Sequence, residues 1–134
     1  MTVTDLKAEA AARPETWSPK IVAEVNGAMV KVARLEGQFV WHDHAGEDEA
    51  FLVLKGSLRI EYEDRPAVTL NPGDLHVVPR GVRHNPVADE ECLIALIEPA
   101  STAHTGAEVT PLTRSLEEQR TGSISPRDGG RAPR

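Results

Sequence analysis

Residues 41–56 read WHDHAGEDEAFLVLKG, and this stretch decides the fold. Side chains at positions i and i+2 of a β-strand point to the same face, so we expect the imidazoles of His42 and His44 to lie side by side. A turn over residues 45–48 then brings the chain back, and Glu49 opens the returning strand. The stretch therefore predicts two adjacent strands that share a cluster of polar side chains.

The chain around this stretch is also typical of a β protein. Residues 57–63 alternate apolar and charged side chains, which predicts a strand with one buried and one solvent-facing side. Asn26-Gly27 is a hairpin signal, and further turn residues separate the other apolar segments. Short strands at this spacing indicate a sandwich or barrel. The predicted strands lie near residues 21–26, 28–36, 38–44, 49–55, 57–63, 66–70, 74–78, 84–88 and 92–98.

Two of these segments, residues 51–54 and 93–97, are apolar on both faces. A strand of this kind is buried between the protein interior and a second layer. Because an outward apolar strand left bare promotes aggregation, we predict a homodimer in which a partner subunit supplies that layer.

The chain ends differ from this central region in composition. Residues 4–13 are rich in Ala, Glu and Lys and precede Pro14, which predicts a short helix with Thr2 or Thr4 as its N-cap. Residues 1–20 are thus expected to form an N-terminal arm, which Trp17 packs onto a domain over residues 21–118. Residues 119–134 carry much Gly, Ser, Pro and Arg, which predicts a flexible, disordered basic tail.

Composition excludes several classes of protein. The 134 residues fit one domain, and the net charge is −6. Residues 120–134 hold four arginines and one aspartate, whereas the rest holds eleven basic and twenty acidic residues, so the body is acidic and nucleic acid is not an expected partner. No apolar run reaches the ~20 residues needed to cross a bilayer, and the N-terminus does not resemble a secretory signal. We therefore expect no membrane partner and a cytoplasmic location.

Histidines and carboxylates suggest a metal centre. His84, which follows the turn Pro79-Arg80-Gly81, is expected to bring a third imidazole to His42, His44 and Glu49. Three neutral imidazoles and one carboxylate suit a divalent ion such as Fe, Mn, Ni, Zn, Cu or Co. Glu47 is an alternative carboxylate, but Glu49 is preferred because it begins the strand.

The same residues resemble the two sequence motifs of the cupin superfamily. The first motif has the form G-x5-HxH-x3,4-E-x6-G, and its positions correspond here to Gly37, His42, His44, Glu49 and Gly56, with the first spacing shorter by one residue. The second has the form G-x5-PxG-x2-H-x3-N, and it corresponds to Gly73, Pro79, Gly81 and His84, with Ala88 at the position of the final Asn. The resemblance to the superfamily covers residues 25–99. Within the superfamily, the sequence resembles small bacterial cupins described as mannose-6-phosphate isomerase-like.

This resemblance implies an all-β cupin barrel, a double-stranded jelly roll. It implies a small-molecule metalloenzyme of isomerase, dioxygenase, or lyase and cyclase type, because cupins carry all of these chemistries. The alternative is a module that binds a small molecule without catalysis.

Other polar residues are weaker candidates for the site. His76 either lines the pocket as a proton shuttle or packs as an ordinary histidine. Arg80 and Arg83 either orient an anionic substrate or pair with surface acids, and Tyr62 either forms a pocket wall or belongs to the core. His104 is predicted to be a loop residue, and Cys92 a buried small hydrophobe.

Overall fold

The computed structural model describes residues 2–102, 104–106 and 109–125. Within them the chain forms a mostly antiparallel β structure flanked by two short helices. The helices are α1 (Leu6–Ala11) and α2 (Leu116–Thr121). The strands are β1 (Lys20–Val25), β2 (Ala28–Gln38), β3 (Glu49–Lys55), β4 (Leu58–Tyr62), β5 (Val68–Leu70), β6 (Leu75–Val78) and β7 (His84–Pro99).

Strand β7 is the centre of the sheet. Its 16 residues pair with β2 along most of their length. Its first residues also pair with β4, while its second half pairs with β3, and the sheet order is β1-β2-β7-β3-β6 with β5 beside β4. One long strand thus joins two groups of shorter strands, and the sheet folds around a shared interior as expected for a jelly roll.

Most of the core lies inside this folded sheet. Val53, Leu58, Ile60, Cys92 and Ile94 are almost fully buried there, and the predicted burial of Cys92 is confirmed. Since side chains alternate along each strand, the residues at these positions face inward and their neighbours face out.

A smaller apolar cluster lies on the outer face of the sheet. It explains in part why residues 51–54 and 93–97 are apolar on both faces. Ala10 of α1 packs against Val32 and Leu93, with Leu54 at its margin. The second layer over this part of the sheet is therefore α1 of the same chain. Residues farther along the same face stay exposed, among them Leu75 and Val77 of β6.

The strand predicted over residues 38–44 is wrong. Beyond Gln38 the chain makes only an isolated bridge between His42 and His84, because other backbone groups of this segment bond to loop and strand partners outside a regular ladder. The Phe39 amide donates to Pro86 O at 3.0 Å, and Gly81 N donates to His44 O at 2.7 Å.

Two further boundaries differ from the prediction. Residues 84–88 and 92–98 belong to one strand, because the charged residues 89–91 form an irregularity opposite β2 without breaking the pairing on either side. Helix α1 is shorter than predicted and is capped by Asp5, whose Oδ1 accepts a hydrogen bond from Ala8 N at 3.1 Å, not by Thr2 or Thr4. Asp is a strong N-cap residue, which explains the start at Leu6.

The predicted disorder beyond residue 118 is wrong for residues 119–125. Ser115 and Glu118 form a capping box at the start of α2, and Gln119 is buried. Arg13 of the N-terminal arm donates to Gly122 O at 2.9 Å, so the arm contacts the C-terminal end of α2. The domain boundary placed between residues 118 and 119 thus falls inside a helix, and residues 126–134 of the predicted tail lie outside the described residues.

Trp17 packs the arm onto the domain as predicted. Its indole N–H donates to Glu36 O at 2.9 Å, and its ring stacks on Phe39 with centroids 4.8 Å apart. No helix in the described part of the chain is long and apolar enough to cross a membrane.

Candidate metal centre

The four predicted ligands come together inside the barrel. His42, His44, Glu49 and His84 are all buried, and one potential ligand atom from each lies within 4.8 Å of all the others. Glu49 Oε1 is 3.5 Å from His44 Nε2 and 3.6 Å from His84 Nε2.

Backbone hydrogen bonds hold this cluster in place. His42 N donates to His84 O at 3.0 Å, and His84 N donates to His42 O at 2.9 Å, so the two imidazoles start from directly paired residues. Glu49 is the first residue of β3 and His84 the first of β7. Two strand ends and one loop therefore converge on the cluster.

Two histidines have a defined tautomer. His42 Nδ1 lies 2.8 Å from Val40 O, and His84 Nδ1 lies 2.9 Å from Val82 O. Because a carbonyl oxygen can only accept, each Nδ1 is the donor, and in the neutral imidazole the lone pair on Nε2 is then the one open to a cation. Orientation of a ligating histidine by a backbone carbonyl is a common feature of metal sites.

The cluster contains buried polar atoms that the described residues leave without hydrogen-bond partners. They include Nε2 of His44, Nε2 of His84 and Oε1 of Glu49. A buried polar atom without a partner costs about 1–3 kcal/mol, so several in one place need an additional group to satisfy them. A divalent cation fits this need, since imidazole nitrogen and carboxylate oxygen are its ordinary ligands. The four residues can therefore hold a metal ion.

The pKa shifts of His42 and Glu49 favour the charge states that bind a cation. Burial, followed by the neighbouring His84, lowers the pKa of His42 to about 4, so its imidazole is neutral at physiological pH. Burial raises the pKa of Glu49, but the adjacent side chains of His44, His84 and Glu98 outweigh burial and hold that pKa well below its usual range. Neutral imidazole and ionised carboxylate are the forms that bind metal.

A second buried carboxyl group lies against Glu49. Burial and then Glu49 itself raise the pKa of Glu98 well above its usual range. The Lys31 ammonium is 2.6 Å from Glu98 Oε1, and both side chains are buried. Two adjacent carboxyl groups can share one proton when both cannot ionise, which explains the opposite directions of the two pKa shifts.

An apolar cavity of about 30 Å³ opens onto the cluster. It is lined by Trp17, Pro19, Ala33, Leu35, Phe39, His42, Glu49, Phe51, Pro86, Ile94, Leu96 and His104. A cavity needs at least about 10–15 Å³ to hold a water molecule, so this one admits roughly two waters, or part of a small molecule.

His104 is a polar residue of the cavity wall that sequence reasoning left as an ordinary loop residue. Its Nδ1 accepts a hydrogen bond from Arg114 N at 2.8 Å, and its ring lies 5.2 Å from that of Phe39. Burial, helped by Lys31 and Arg114, lowers the pKa of His104 to about 3. It lies in an irregular segment, where no periodicity predicts a contact with the site.

Lys31 and Glu98 were also missed, although the pattern contains a signal for them. Lys31 shares the inward parity of Ala33 and Leu35, and Glu98 shares that of Ile94 and Leu96. A single charge at an inward position of an apolar strand indicates a buried, paired group.

The remaining predicted site residues lie outside the cavity wall. His76 Nε2 is 2.6 Å from the Tyr62 hydroxyl oxygen, and burial, then His84, lowers the pKa of His76. Arg80 pairs with Asp48 at 3.5 Å and Arg83 with Glu63 at 3.3 Å, both at the surface.

The alternative carboxylate Glu47 also lies away from the cluster. Its Oε2 accepts a hydrogen bond from Ser101 Oγ at 3.4 Å, and the side chain is not among the clustered ligands.

The jelly-roll sheet and the internal group of three histidines and one glutamate define a cupin with a possible metal site. Residues 28–97 match the family described as the cupin domain, and the chain belongs to that family. A solved cupin-2 domain protein from Shewanella frigidimarina NCIMB 400 is 42% identical, with a TM-score of 0.69, over 72% of this chain and 94% of that chain. Protein NMB1881 from Neisseria meningitidis is 30% identical, with a TM-score of 0.67, over 73% of this chain and 99% of that one.

A curated relative matches a shorter region. The uncharacterized protein YdbB of Bacillus subtilis (strain 168) is 36% identical over 63 residues, which are 47% of this chain. The matched region spans 56% of the length of that relative.

Proposed function

We propose that this protein is a metal-dependent enzyme of dioxygenase type. Its substrate is a small, largely apolar molecule that carries an oxygen atom able to accept a hydrogen bond. The overall reaction consumes one O₂ per substrate and places both oxygen atoms in the product, so no further reductant is needed. The observation that carries the proposal is the apolar cavity that opens onto the ligand cluster, with His42 and Glu49 in its wall.

His42, His44, Glu49 and His84 are the residues that hold the metal. A redox-active ion such as iron, when bound there, supplies the chemistry that makes dioxygen reactive. The protein's own contribution is to exclude water and to orient the substrate, and Phe39, Phe51 and Leu96 form walls suited to both tasks.

Cavity polarity favours this reaction over sugar isomerisation. A sugar carries several hydroxyl groups, each of which needs a hydrogen-bond partner when it is buried. Among the described side chains that line the cavity, His42, Glu49 and His104 are the polar ones, and two of these are metal-ligand candidates. His76, the base that an isomerase would need, is hydrogen-bonded to Tyr62 outside the cavity lining.

His104 provides the substrate contact in this proposal. Since Nδ1 accepts from the Arg114 amide, a neutral His104 carries its proton on Nε2. Its lowered pKa keeps the ring neutral at physiological pH, so His104 acts as a hydrogen-bond donor and not as a base. A donor beside a metal centre suits a carbonyl, phenol or enolate oxygen.

The test is oxygen uptake by the protein reconstituted anaerobically with Fe(II). We expect uptake with some members of a panel of phenols, catechols and 1,3-dicarbonyl compounds, and no aldose–ketose interconversion of sugar phosphates. His104→Phe keeps the ring and removes the donor, so it should retain iron but raise KM. His104→Gln restores an N–H donor and should recover part of the affinity.

Two results would contradict the proposal. Turnover of a sugar phosphate without oxygen uptake would establish an isomerase. Tight binding of a panel compound to the iron-loaded protein, without conversion under oxygen, would instead establish a non-catalytic binding module.

We also propose that two copies of the chain form a homodimer. On the outer face of the sheet, Leu75, Val77 and Ile97 remain 60%, 47% and 39% exposed, beyond the area that α1 covers. Strand β6 pairs with β3 alone among the described strands, so this apolar area continues to a sheet edge. A second copy placed there would cover both features.

Light scattering tests the dimer at micromolar concentration. The parent should have the mass of two chains, and Leu75→Glu should reduce it to one. Val25→Glu is the matched control, because Val25 is also 60% exposed but lies at the end of β1. A parent that is monomeric at this concentration rules out the proposed pairing.

A further inference from the structure

A chain of buried polar side chains runs from the metal-ligand cluster to helix α2. Lys31, Glu98 and Gln119 are 1%, 3% and 2% exposed. Lys31 Nζ is 2.6 Å from Glu98 Oε1 and also 2.6 Å from Gln119 Oε1. Since burial of an ammonium group is costly unless it is paired and hydrogen-bonded, these two partners define where the Lys31 side chain can lie.

At the other end of this row of polar side chains, Glu98 lies next to Glu49, a candidate metal ligand. Ala50 of β3 pairs with Ile97 of β7, so the next residues in this antiparallel register, Glu49 and Glu98, lie side by side, and both are buried. Glu98 thus bridges Lys31 and Glu49, and its position constrains the carboxylate that Glu49 offers to a cation. Hydrogen-bond partners of metal ligands commonly set ligand orientation and change metal affinity about 10–100-fold when removed.

Gln119 is fixed by helix α2 and the segment before it. Its Nε2 donates to Arg114 O at 3.1 Å, and the Arg114 side chain donates from Nε to Ser18 Oγ at 3.2 Å. Both Gln119 and Glu98 lie outside residues 28–97, the part that matches the cupin domain family. The support of Glu49 therefore begins in the barrel strands, with Lys31 of β2 and Glu98 of β7, and ends at Gln119 in the C-terminal segment.

We propose that Glu98, Lys31 and Gln119 are positioning residues for Glu49, so that metal binding and the docking of α2 are coupled. The inference rests on the metal site proposed above but not on the reaction. Coupling between two sites is reciprocal: if a docked α2 strengthens metal binding, bound metal must hold α2 in place by the same factor. A contact that only stabilises the fold would leave metal affinity unchanged when it is removed, and bound metal would not slow exchange in α2.

Two measurements on the full chain test the proposal. The first is zinc affinity, obtained by competition with a chromophoric chelator. The second is amide hydrogen exchange of residues 116–121 with and without zinc. In the parent, zinc should slow exchange in α2. In Gln119→Leu, which keeps the side-chain bulk and removes the acceptor for Lys31, zinc should bind about tenfold more weakly and should protect α2 less.

Variants of Glu98 separate positioning from packing. Glu98→Leu should weaken zinc binding as Gln119→Leu does. Glu98→Gln should stay close to the parent, because an amide can accept from Lys31 and donate to Glu49. If Glu98→Leu does not fold, the double variant Lys31→Met with Glu98→Leu removes both members of the buried pair and should still bind zinc more weakly than the parent.

Glu117→Ala is the control, because Glu117 is exposed on the same helix, and it should match the parent in both measurements. Parent-like zinc affinity in both Gln119→Leu and Glu98→Leu would overturn the proposal, and so would exchange in α2 that zinc does not slow. If the parent itself binds no zinc or other divalent ion, the metal site fails, and this inference fails with it.

Discussion

Replacing His44 by Ala should abolish most of the thermal stabilisation that a divalent metal gives this protein. His44 has two buried ring nitrogens without hydrogen-bond partners among the described residues, and its Nε2 is 3.5 Å from Glu49 Oε1. In the metal-free protein the substitution removes these unsatisfied atoms and leaves a small cavity, two effects of similar size and opposite sign. Both effects are present with and without metal. They therefore cancel when the melting temperature without metal is subtracted from the melting temperature with metal.

The size of the effect follows from linkage. Free metal at 100 times its dissociation constant stabilises the parent by about 2.7 kcal/mol. For a chain of this length 1 kcal/mol corresponds to roughly 4 °C, so the parent should melt about 10 °C higher with metal. If loss of one ligand weakens binding about 100-fold, the same metal concentration stabilises the variant by only about 0.4 kcal/mol, which is less than about 2 °C.

The assay is differential scanning calorimetry with zinc and with a chelator, combined with metal analysis by mass spectrometry. His76→Ala is the control, since it removes a histidine bonded to Tyr62 and outside the ligand cluster. It should melt lower in both conditions but keep the full zinc-dependent increase. A His44→Ala protein that keeps the parent's increase, or a parent without any, would refute the assignment of the site.

Three further predictions concern stability and reactivity. A chain that ends after Arg114 should melt well below the parent because it loses Lys31–Gln119 and the other contacts of α2, whereas one that ends after Ser125 should melt with it. Gly56→Ala should lower the free energy of unfolding by several kcal/mol more than Gly73→Ala does, as measured by urea unfolding. Both positions have positive φ, but a Cβ at Gly56 would lie 2.6 Å from a backbone oxygen, whereas a Cβ at Gly73 would meet nothing within 4 Å. The thiol of Cys92 should resist Ellman's reagent at pH 8 and react on unfolding, because it is fully buried and burial raises its pKa to about 11; immediate labelling of the native protein would contradict this.

Local sequence rules predicted most of the strands and the ligand cluster, whereas the jelly-roll arrangement of the strands was implied by the resemblance to cupins. The strands after Glu49 follow the period-two alternation, and turn residues mark where they end. His42, His44, Glu49 and His84 could be predicted because their chemistry and spacing are visible along the chain. Even so, the reason given for His42 and His44 was partly wrong, since they lie in a loop with an isolated bridge and not in a continuous strand.

Sequence by itself determined which residues are apolar, where the chain turns and which side chains can bind a cation, because these depend on residue type and on neighbours a few positions away. Only the tertiary structure decided which distant groups meet. Lys31 and Gln119 are 88 positions apart, and His104 reaches the cavity from an irregular segment. No local periodicity encodes such contacts, since they depend on how α2 and the segment before it pack against the barrel. For the same reason residues 119–121, the second half of α2, were predicted to belong to a disordered tail: Gln119 is suited to solvent until Lys31 provides a buried partner.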